Sequence, residues 1–180
     1  MPGVRFSRKR FVTVTVALLL GAAATSMLTG TASAASPIVH RASAGGPDAC
    51  FAILGAHPGC DGNYSWTAAQ FADGTASGHF TDRFARGDGV TGDIDCLSVA
   101  GNRAWASGVF TSGRFTDRDT GERIDLAGLH FLTSVQDNGR TANAPADQIS
   151  RLVVDAGVLD CSTQPDVEIF DAPQGQVIVS

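Results

Sequence analysis

Serine, histidine and acidic side chains are numerous enough for hydrolytic chemistry, but their spacing matches no catalytic motif. The pentapeptide 74–78, GTASG, places Ser77 one position later than the serine of a G-x-S-x-G nucleophile elbow. His79 and His130 fall on the polar faces of predicted strands, where a solvated surface accounts for them. The other histidines are His40 and His57. We therefore assign no catalytic residue.

Two groups of acidic residues, the first of them in a predicted loop, raise the question of a calcium site. The first consists of Asp117, Asp119, Glu122 and Asp125, and the second of Asp88, Asp93 and Asp95. Calcium requires several oxygen ligands within one loop, and neither group has the spacing of an EF-hand loop. Arg118 and Arg123 lie within the first group and oppose a cation. The sequence predicts polar hairpin tips, with no metal or other cofactor.

A site for sugars would need an aromatic platform, or two carboxylates across a cleft if the sugar is cleaved. The chain has 18 acidic residues, so pairs of carboxylates arise by chance and carry no signal. Its two tryptophans are Trp66 and Trp105. Both lie in predicted strands, so the alternatives are a shared sugar platform and packing in the core.

The N-terminus has the three-part layout of a signal peptide. Its first ten residues carry Arg5, Arg8, Lys9 and Arg10, an uncharged apolar run follows at 11–24, and Ala32-Ser33-Ala34 matches an A-x-A cleavage site. The strongly apolar part is too short to cross about 30 Å of hydrocarbon. We expect cleavage after Ala34 and a protein that is secreted, extracellular and in some settings associated with the cell wall.

The exported part is strongly acidic. It carries nine arginines, no lysine, 16 aspartates and two glutamates, which gives a net charge of −9. Such a charge repels phosphate backbones and anionic lipid surfaces. We therefore expect no nucleic-acid partner and no membrane contact after signal cleavage, which leaves an extracellular or cell-wall partner of unknown identity.

All four cysteines, Cys50, Cys60, Cys96 and Cys161, lie in the exported part. An even number in an exported chain indicates disulfides, and four cysteines allow three pairings. We favour Cys50–Cys60, which closes a short local loop. The second bond is then Cys96–Cys161, which joins a mid-chain strand to the C-terminal region and removes more entropy from the unfolded chain.

The elements that must position these residues are β-strands. From Asn63 onward, short runs of aromatic and β-branched residues alternate with Gly, Asp and Asn, and apolar residues recur at every second position. Strands are predicted over 64–71, 75–84, 92–99, 103–111, 126–135 and 149–154, with a seventh at 175–179. Gly101-Asn102 is expected to form a hairpin turn. The chain is therefore expected to be all-β, a single antiparallel β-sandwich or small barrel of about six to eight strands.

The chain is divided into three parts. Residues 1–34 form the signal peptide, 35–62 an Ala-, Gly- and Pro-rich N-terminal segment with the Cys50–Cys60 loop, and 63–180 the β-domain. Ser36-Pro37 and Gly45-Gly46-Pro47 are expected to interrupt regular structure. We therefore interpret the N-terminal segment as a linker.

Three motifs resemble those of a group of small secreted domains of actinobacterial type. Residues 92–104 contain the hairpin pattern V-x-C-L-x-V-x-G-N-x-A with Ile94 at its first position, 135–139 match V-x-D-N-G, and 147–150 match D-x-I-S. The group includes the post-COAP domains, which follow a domain of cell-surface anchoring type. The resemblance covers residues 63–154 and implies no activity, so no functional residue is carried over.

Two classes of function follow from the sequence. The first is a non-catalytic extracellular β-domain that binds a ligand or partner, in the medium or at the cell surface. The second is a small secreted hydrolase, or a protease inhibitor that presents the Cys50–Cys60 loop. A convergent histidine–serine–aspartate pocket would favour the hydrolase, and a protruding loop would favour the inhibitor.

Overall fold

A computed structural model describes residues 35–47, 63–83, 88–117, 120–150, 152–155, 157–172 and 175–180. In these residues eleven strands and one turn of 3-10 helix (Cys161–Thr163) are present. The strands are β1 (Ile38–Pro47), β2 (Asn63–Phe71), β3 (Ala76–Arg83), β4 (Gly89–Ala100), β5 (Arg103–Thr116), β6 (Arg123–Asp125), β7 (His130–Gln136), β8 (Gln148–Ser150), β9 (Val153–Asp155), β10 (Ile169–Asp171) and β11 (Gln176–Val179). The predicted signal peptide and the predicted Cys50–Cys60 bond lie outside the described residues.

The strands form one antiparallel sheet with the order β10-β8-β7-β5-β4-β3-β2-β1-β11, to which β6 is added beside β5 and β9 beside β7. The all-β antiparallel prediction is confirmed. The predicted number of six to eight strands is wrong, because β1, β6 and β10 were not expected and the predicted strand 149–154 is split into β8 and β9. Both halves pair with β7, β8 near its end and β9 near its start. A single curled sheet replaces the two packed sheets of a sandwich.

Strand β1 corrects the interpretation of its segment as a linker. It pairs with β2 on one side and with β11 on the other. Ala42 and Ala44, two positions apart, both face inward and are buried. Arg41, directly before Ala42, is exposed. Small side chains on alternate positions gave no hydrophobic pattern to detect, yet they suit a strand that packs against the large side chains of its neighbours.

The inner face of the curled sheet is its concave side, and it carries the main core. The core combines aromatic residues from β2, β3, β5 and β7 with alanine and aliphatic residues from β1, β2, β4, β5, β7, β8 and β11. Phe110 and Phe131 stack with ring centroids 4.8 Å apart, and Phe80 lies 4.9 Å from Phe131. Phe80, Phe131 and Val135 are all buried in this core.

The outer face is covered in one place by the C-terminal segment. Cys96 on β4 is bonded to Cys161, as predicted, and Trp105 and Leu132 complete a second apolar cluster around this disulfide. The indole Nε1 of Trp105 donates to the Pro165 carbonyl oxygen at 3.0 Å, and the Arg103 guanidinium stacks on the same indole. Leu132, which lies on this outer face, is buried in the same cluster as Cys161.

The sheet curls far enough for β11 to contact residues that flank β7 and β8. The Val177 amide donates to Asp147 Oδ2 at 2.9 Å, and the Val179 amide donates to Asp137 Oδ2 at 3.2 Å. Two carboxylates thus satisfy backbone donors that a neighbouring strand would satisfy in a continuous ladder. We call Asp137 and Asp147 the carboxylate clasp.

The β4–β5 hairpin forms as predicted. Ala100 pairs with Arg103, so Gly101-Asn102 is a two-residue connection, and Gly101 has a φ of 61°. A positive φ at the first central residue is typical of a turn that matches the twist of the flanking strands. In the part of the chain that the structure describes, no helix is long and apolar enough to cross a membrane.

Candidate ligand-binding site

Four large side chains lie next to one another on the inner face of β2 and β3. Tyr64 and Trp66 occupy alternate positions of β2, and Phe80 and Asp82 occupy alternate positions of β3. In the antiparallel register Tyr64 is opposite Asp82 and Trp66 is opposite Phe80. Cβ atoms of such cross-strand partners are about 4.5–5.5 Å apart. We call these four residues the inner quartet.

Three members of the inner quartet have a buried polar atom without a hydrogen-bond partner among the described residues. These atoms are the Tyr64 hydroxyl, the Trp66 indole Nε1 and one carboxylate oxygen of Asp82. The exposed fractions of Tyr64, Trp66 and Asp82 are only 4%, 2% and 2%. Buried polar side chains in native proteins are almost always satisfied, so three exceptions on adjacent strands require an explanation.

The titration behaviour of Asp82 reflects its apolar surroundings. Burial raises the pKa of the Asp82 carboxyl to about 7, and a hydrogen bond from the Arg83 backbone amide only partly offsets this effect. Burial also raises the pKa of the Tyr64 hydroxyl well above its usual range, and the carboxylates of Asp147 and Asp82 raise it further.

Small residues flank the inner quartet on both sides. Ala44 of β1 is opposite Trp66, and Gly92 of β4 is opposite Phe80. Next to the carboxyl, Val90 of β4 is opposite Asp82 and Gly46 of β1 is opposite Tyr64. The quartet is thus a patch of three aromatic rings and one carboxyl, bordered by short side chains.

The residues of the three sequence motifs meet elsewhere, in a hydrogen-bonded network at the carboxylate clasp. The Asn102 side chain donates to the Asp137 carbonyl oxygen at 2.7 Å, and the Asn138 amide donates to Asp147 Oδ1 at 2.9 Å. Ser150 Oγ accepts from the Ser134 amide at 2.7 Å. These polar residues hold turns and strands together, which gives them a structural role.

The serine and histidine residues considered for hydrolysis do not form a triad among the described residues. His79 lies on the outer face with its ring 3.7 Å from the Asp93 carboxylate, and both side chains are more than half exposed. Ser77 is exposed on the same strand, and His130 is on the same face three strands away, on β7. His57 lies outside the described residues, as does the segment of the proposed inhibitory loop.

The acidic residues considered for calcium are dispersed or occupied where the structure describes them, and Asp119 lies outside the described residues. Asp88 pairs with Arg114 at 3.3 Å and also accepts from the Thr116 amide at 3.0 Å. These hydrogen bonds lower the pKa of Asp88, and the bond with Thr116 has the largest effect. Asp117 Oδ1 accepts from the Thr120 amide in its own turn. In the described ranges no three histidine, cysteine or acidic residues are placed to hold a metal ion.

The two tryptophans cannot form a shared platform. Trp66 belongs to the core of the inner face, whereas Trp105 belongs to the apolar cluster of the outer face. Both are buried. Packing in the core is therefore the alternative that applies to both residues.

Sequence reasoning missed Asp82 and Tyr64. Asp82 is two positions after Phe80, and residues two apart in a strand share a face, so the pattern contained the signal. It was overlooked because charged side chains are rarely buried without a partner, and an aspartate is normally assigned to the solvated side.

Comparisons of this chain with protein-family models, with curated proteins and with solved structures found no match.

Proposed function

We propose that the chain is an exported, non-catalytic binding domain that holds a small molecule against the inner face of its curled sheet. The observation that carries this proposal is the set of three buried, unpartnered polar atoms in the inner quartet. Each such group costs about 1–3 kcal/mol when nothing bonds to it. Three together would consume a large share of a net stability of about 5–15 kcal/mol.

A small molecule with several polar groups would satisfy these atoms and stabilise the folded protein by mass action. Curled and closed β-sheets commonly bind small molecules on their inner face, where apolar walls surround a few polar groups. The signal-peptide pattern supports an extracellular location, and a Cys96–Cys161 disulfide suits an oxidising environment.

The test compares a double substitution on the inner face with one on the outer face of the same two strands. Tyr64→Phe with Asp82→Asn removes polar atoms of the quartet. Ser65→Ala with Thr81→Val is the matched control, because these two residues are also cross-strand partners but face outward. Each secreted protein is incubated with a small-molecule extract of culture medium, freed of unbound material and denatured, and the released compounds are measured by mass spectrometry.

We expect the wild-type protein and the outer-face variant to release the same compound in similar amounts. The inner-face variant should release at least about tenfold less, because loss of two hydrogen-bonding groups costs more than 1.4 kcal/mol of binding free energy. Equal release from both variants, or no compound released from the wild-type protein, would refute the proposal.

A further inference from the structure

A surface depression lies where β4, β5 and β6 run side by side. Its volume is about 400 Å³, and it is lined by Gly89, Gly113, Arg114, Arg123, Ile124 and Asp125. The Arg114 side chain is 54% exposed and Ile124 is 39% exposed, so the depression is open to solvent. Ligand sites commonly have volumes of about 300–1,000 Å³, which leaves room here for a compact molecule.

The pairing of the strands places three arginines around this depression. Arg83 of β3 is opposite Gly89 of β4, and Gly89 is opposite Arg114 of β5. Cross-strand partners point to the same face, and this is the outer face because Arg83 alternates with the members of the inner quartet on β3. Asp125 is opposite Arg114, and Arg123 shares its face because it is two positions earlier on β6. Glycine has no side chain, so β4 contributes none at the row between Arg83 and Arg114.

The two carboxylates beside the arginines are bonded to the protein itself. Asp88 Oδ1 accepts from Arg114 Nε at 3.3 Å, and Asp88 Oδ2 accepts from the Thr116 amide at 3.0 Å. Asp125 Oδ1 accepts from the Ala127 amide at 3.0 Å. A guanidinium group has five N–H donors, and the bond described for Arg114 uses only the one at Nε. Asp88 therefore orients Arg114, whose terminal nitrogens are suited to a further acceptor.

The local charge differs from that of the rest of the molecule. Residues 35–180 carry nine arginines and a net charge of −9, yet Arg83, Arg114 and Arg123 lie around this one depression. The planar fork of a guanidinium group matches the paired oxygens of phosphate and carboxylate groups. The acidic remainder of the surface would repel a long polyanion, whereas a small ligand with one anionic group would mainly meet the arginines.

We propose that this depression binds a compact ligand of sugar size through one oxyanion group, a phosphate or a carboxylate. Arg114 and Arg123 donate hydrogen bonds to the oxyanion, and Arg83 adds positive charge at the border. The exposed Ile124 provides an apolar contact for the body of the ligand. The arginines lie on the opposite face of the sheet from the inner quartet, so this site goes beyond the proposed function and does not depend on it.

The test titrates the secreted protein with glucose 6-phosphate, glucuronate and neutral glucose, and follows backbone amide shifts by nuclear magnetic resonance. The titrations use low ionic strength, at which exposed charges are weakly screened. At least one of the two anions should bind at least about tenfold more tightly than glucose, because only the anions pair with the arginines. The largest shifts should occur at the amides of Gly113 and Ile124. Comparison of the two anions identifies the preferred oxyanion.

Arg114→Gln and Arg123→Gln should each weaken binding of the preferred anion by at least about tenfold, because each removes a charged hydrogen-bond donor. Arg123→Gln keeps the Asp88–Arg114 pair, so it tests the site even if Arg114→Gln disturbs the fold. Arg140→Gln is the matched control, because it makes the same charge change at an exposed position after β7. It should change the dissociation constant by less than about twofold.

Three results would overturn the proposal. The first is the absence of binding of both anions. The second is binding of glucose as tight as that of the anions, since the arginines would then not select the ligand. The third is an equal loss of affinity in Arg140→Gln and Arg123→Gln, because long-range attraction would then explain the binding. None of these results bears on the inner face, which the released-compound experiment judges separately.

Discussion

At the scale of single residues, Asp82 combines an unusual position with an unusual pKa. Its carboxyl is buried opposite a tyrosine and next to a phenylalanine, with no cationic side chain among the buried residues that the structure describes. Burial raises its pKa from 3.8 to about 7. The pH of the medium is therefore expected to affect the stability of the fold through this residue.

The pH dependence of stability is predicted to follow from Asp82. Because its pKa is higher in the folded state than in the unfolded state, the folded protein binds more protons between about pH 4 and about pH 7. As the pH rises through this range, the free energy of unfolding should therefore decrease, by up to roughly 4 kcal/mol for this one group. Asp82→Asn should remove that part of the slope and should be more stable than the wild-type protein at about pH 8.

Urea unfolding of the ligand-free proteins at several pH values measures this difference. Asp171→Asn serves as the control, because it removes an exposed carboxyl from β10. The control should keep the wild-type slope. Parallel stability profiles for the wild-type protein and Asp82→Asn would show that Asp82 stays charged across the range and that the interpretation of its environment is wrong.

At the scale of elements, the carboxylate clasp determines how β11 is held. Asp137 directly follows β7 and Asp147 directly precedes β8. Each accepts a hydrogen bond from a backbone amide of β11. Asp147 also accepts from the Asn138 amide, so one side chain joins the turn and the strand. The motifs at 135–139 and 147–150 thus have a physical reason that is independent of any ligand.

Asp147→Ala is predicted to loosen β11. It leaves the Val177 amide and the Asn138 amide without their acceptor, which should lower the free energy of unfolding by about 1–3 kcal/mol. Hydrogen exchange should accelerate at Val177, while the amide of Phe110, in the middle of the sheet, should keep its protection relative to global unfolding. Asp171→Ala is the matched control, since its carboxylate bonds only an exposed glutamine side chain among the contacts described. Unchanged protection of Val177 in Asp147→Ala would contradict a role for the clasp.

At the scale of the whole molecule, the disulfide and the curl of the sheet act on different parts of the chain. Cys96 and Cys161 are 65 positions apart, and their bond fixes the C-terminal segment to the outer face. The clasp instead acts where the two ends of the strand order approach each other. Both constraints join distant parts of the sequence, as expected where the short strands β8, β9 and β10 add little pairing of their own.

Replacement of Cys96 and Cys161 by alanine is predicted to destabilise the fold by roughly 4 kcal/mol, because the bond closes a long loop in the unfolded chain. Thermal melting of the double variant should show a clear decrease in melting temperature. The indole of Trp105 should become more accessible to quenchers, since its partner Pro165 lies in the released segment. A melting temperature equal to that of the wild-type protein would show that the outer cluster holds this segment without the bond.

The sequence by itself determined the fold class, most strand positions and the Gly101-Asn102 turn, and it favoured the pairing of Cys96 with Cys161 among three possible pairings. The strands and the turn depend on local properties, namely a period of two and residues that tolerate positive φ, whereas the pairing was favoured on loop-closure entropy. The tertiary structure decided the single curled sheet, the inclusion of β1 and β10, the clasp and the inner quartet. Each of these depends on which distant strands become neighbours. Strand β1, for instance, carries alanines that gain a packing role only beside Trp66, and Asp82 becomes a buried charge only because the sheet curls around it.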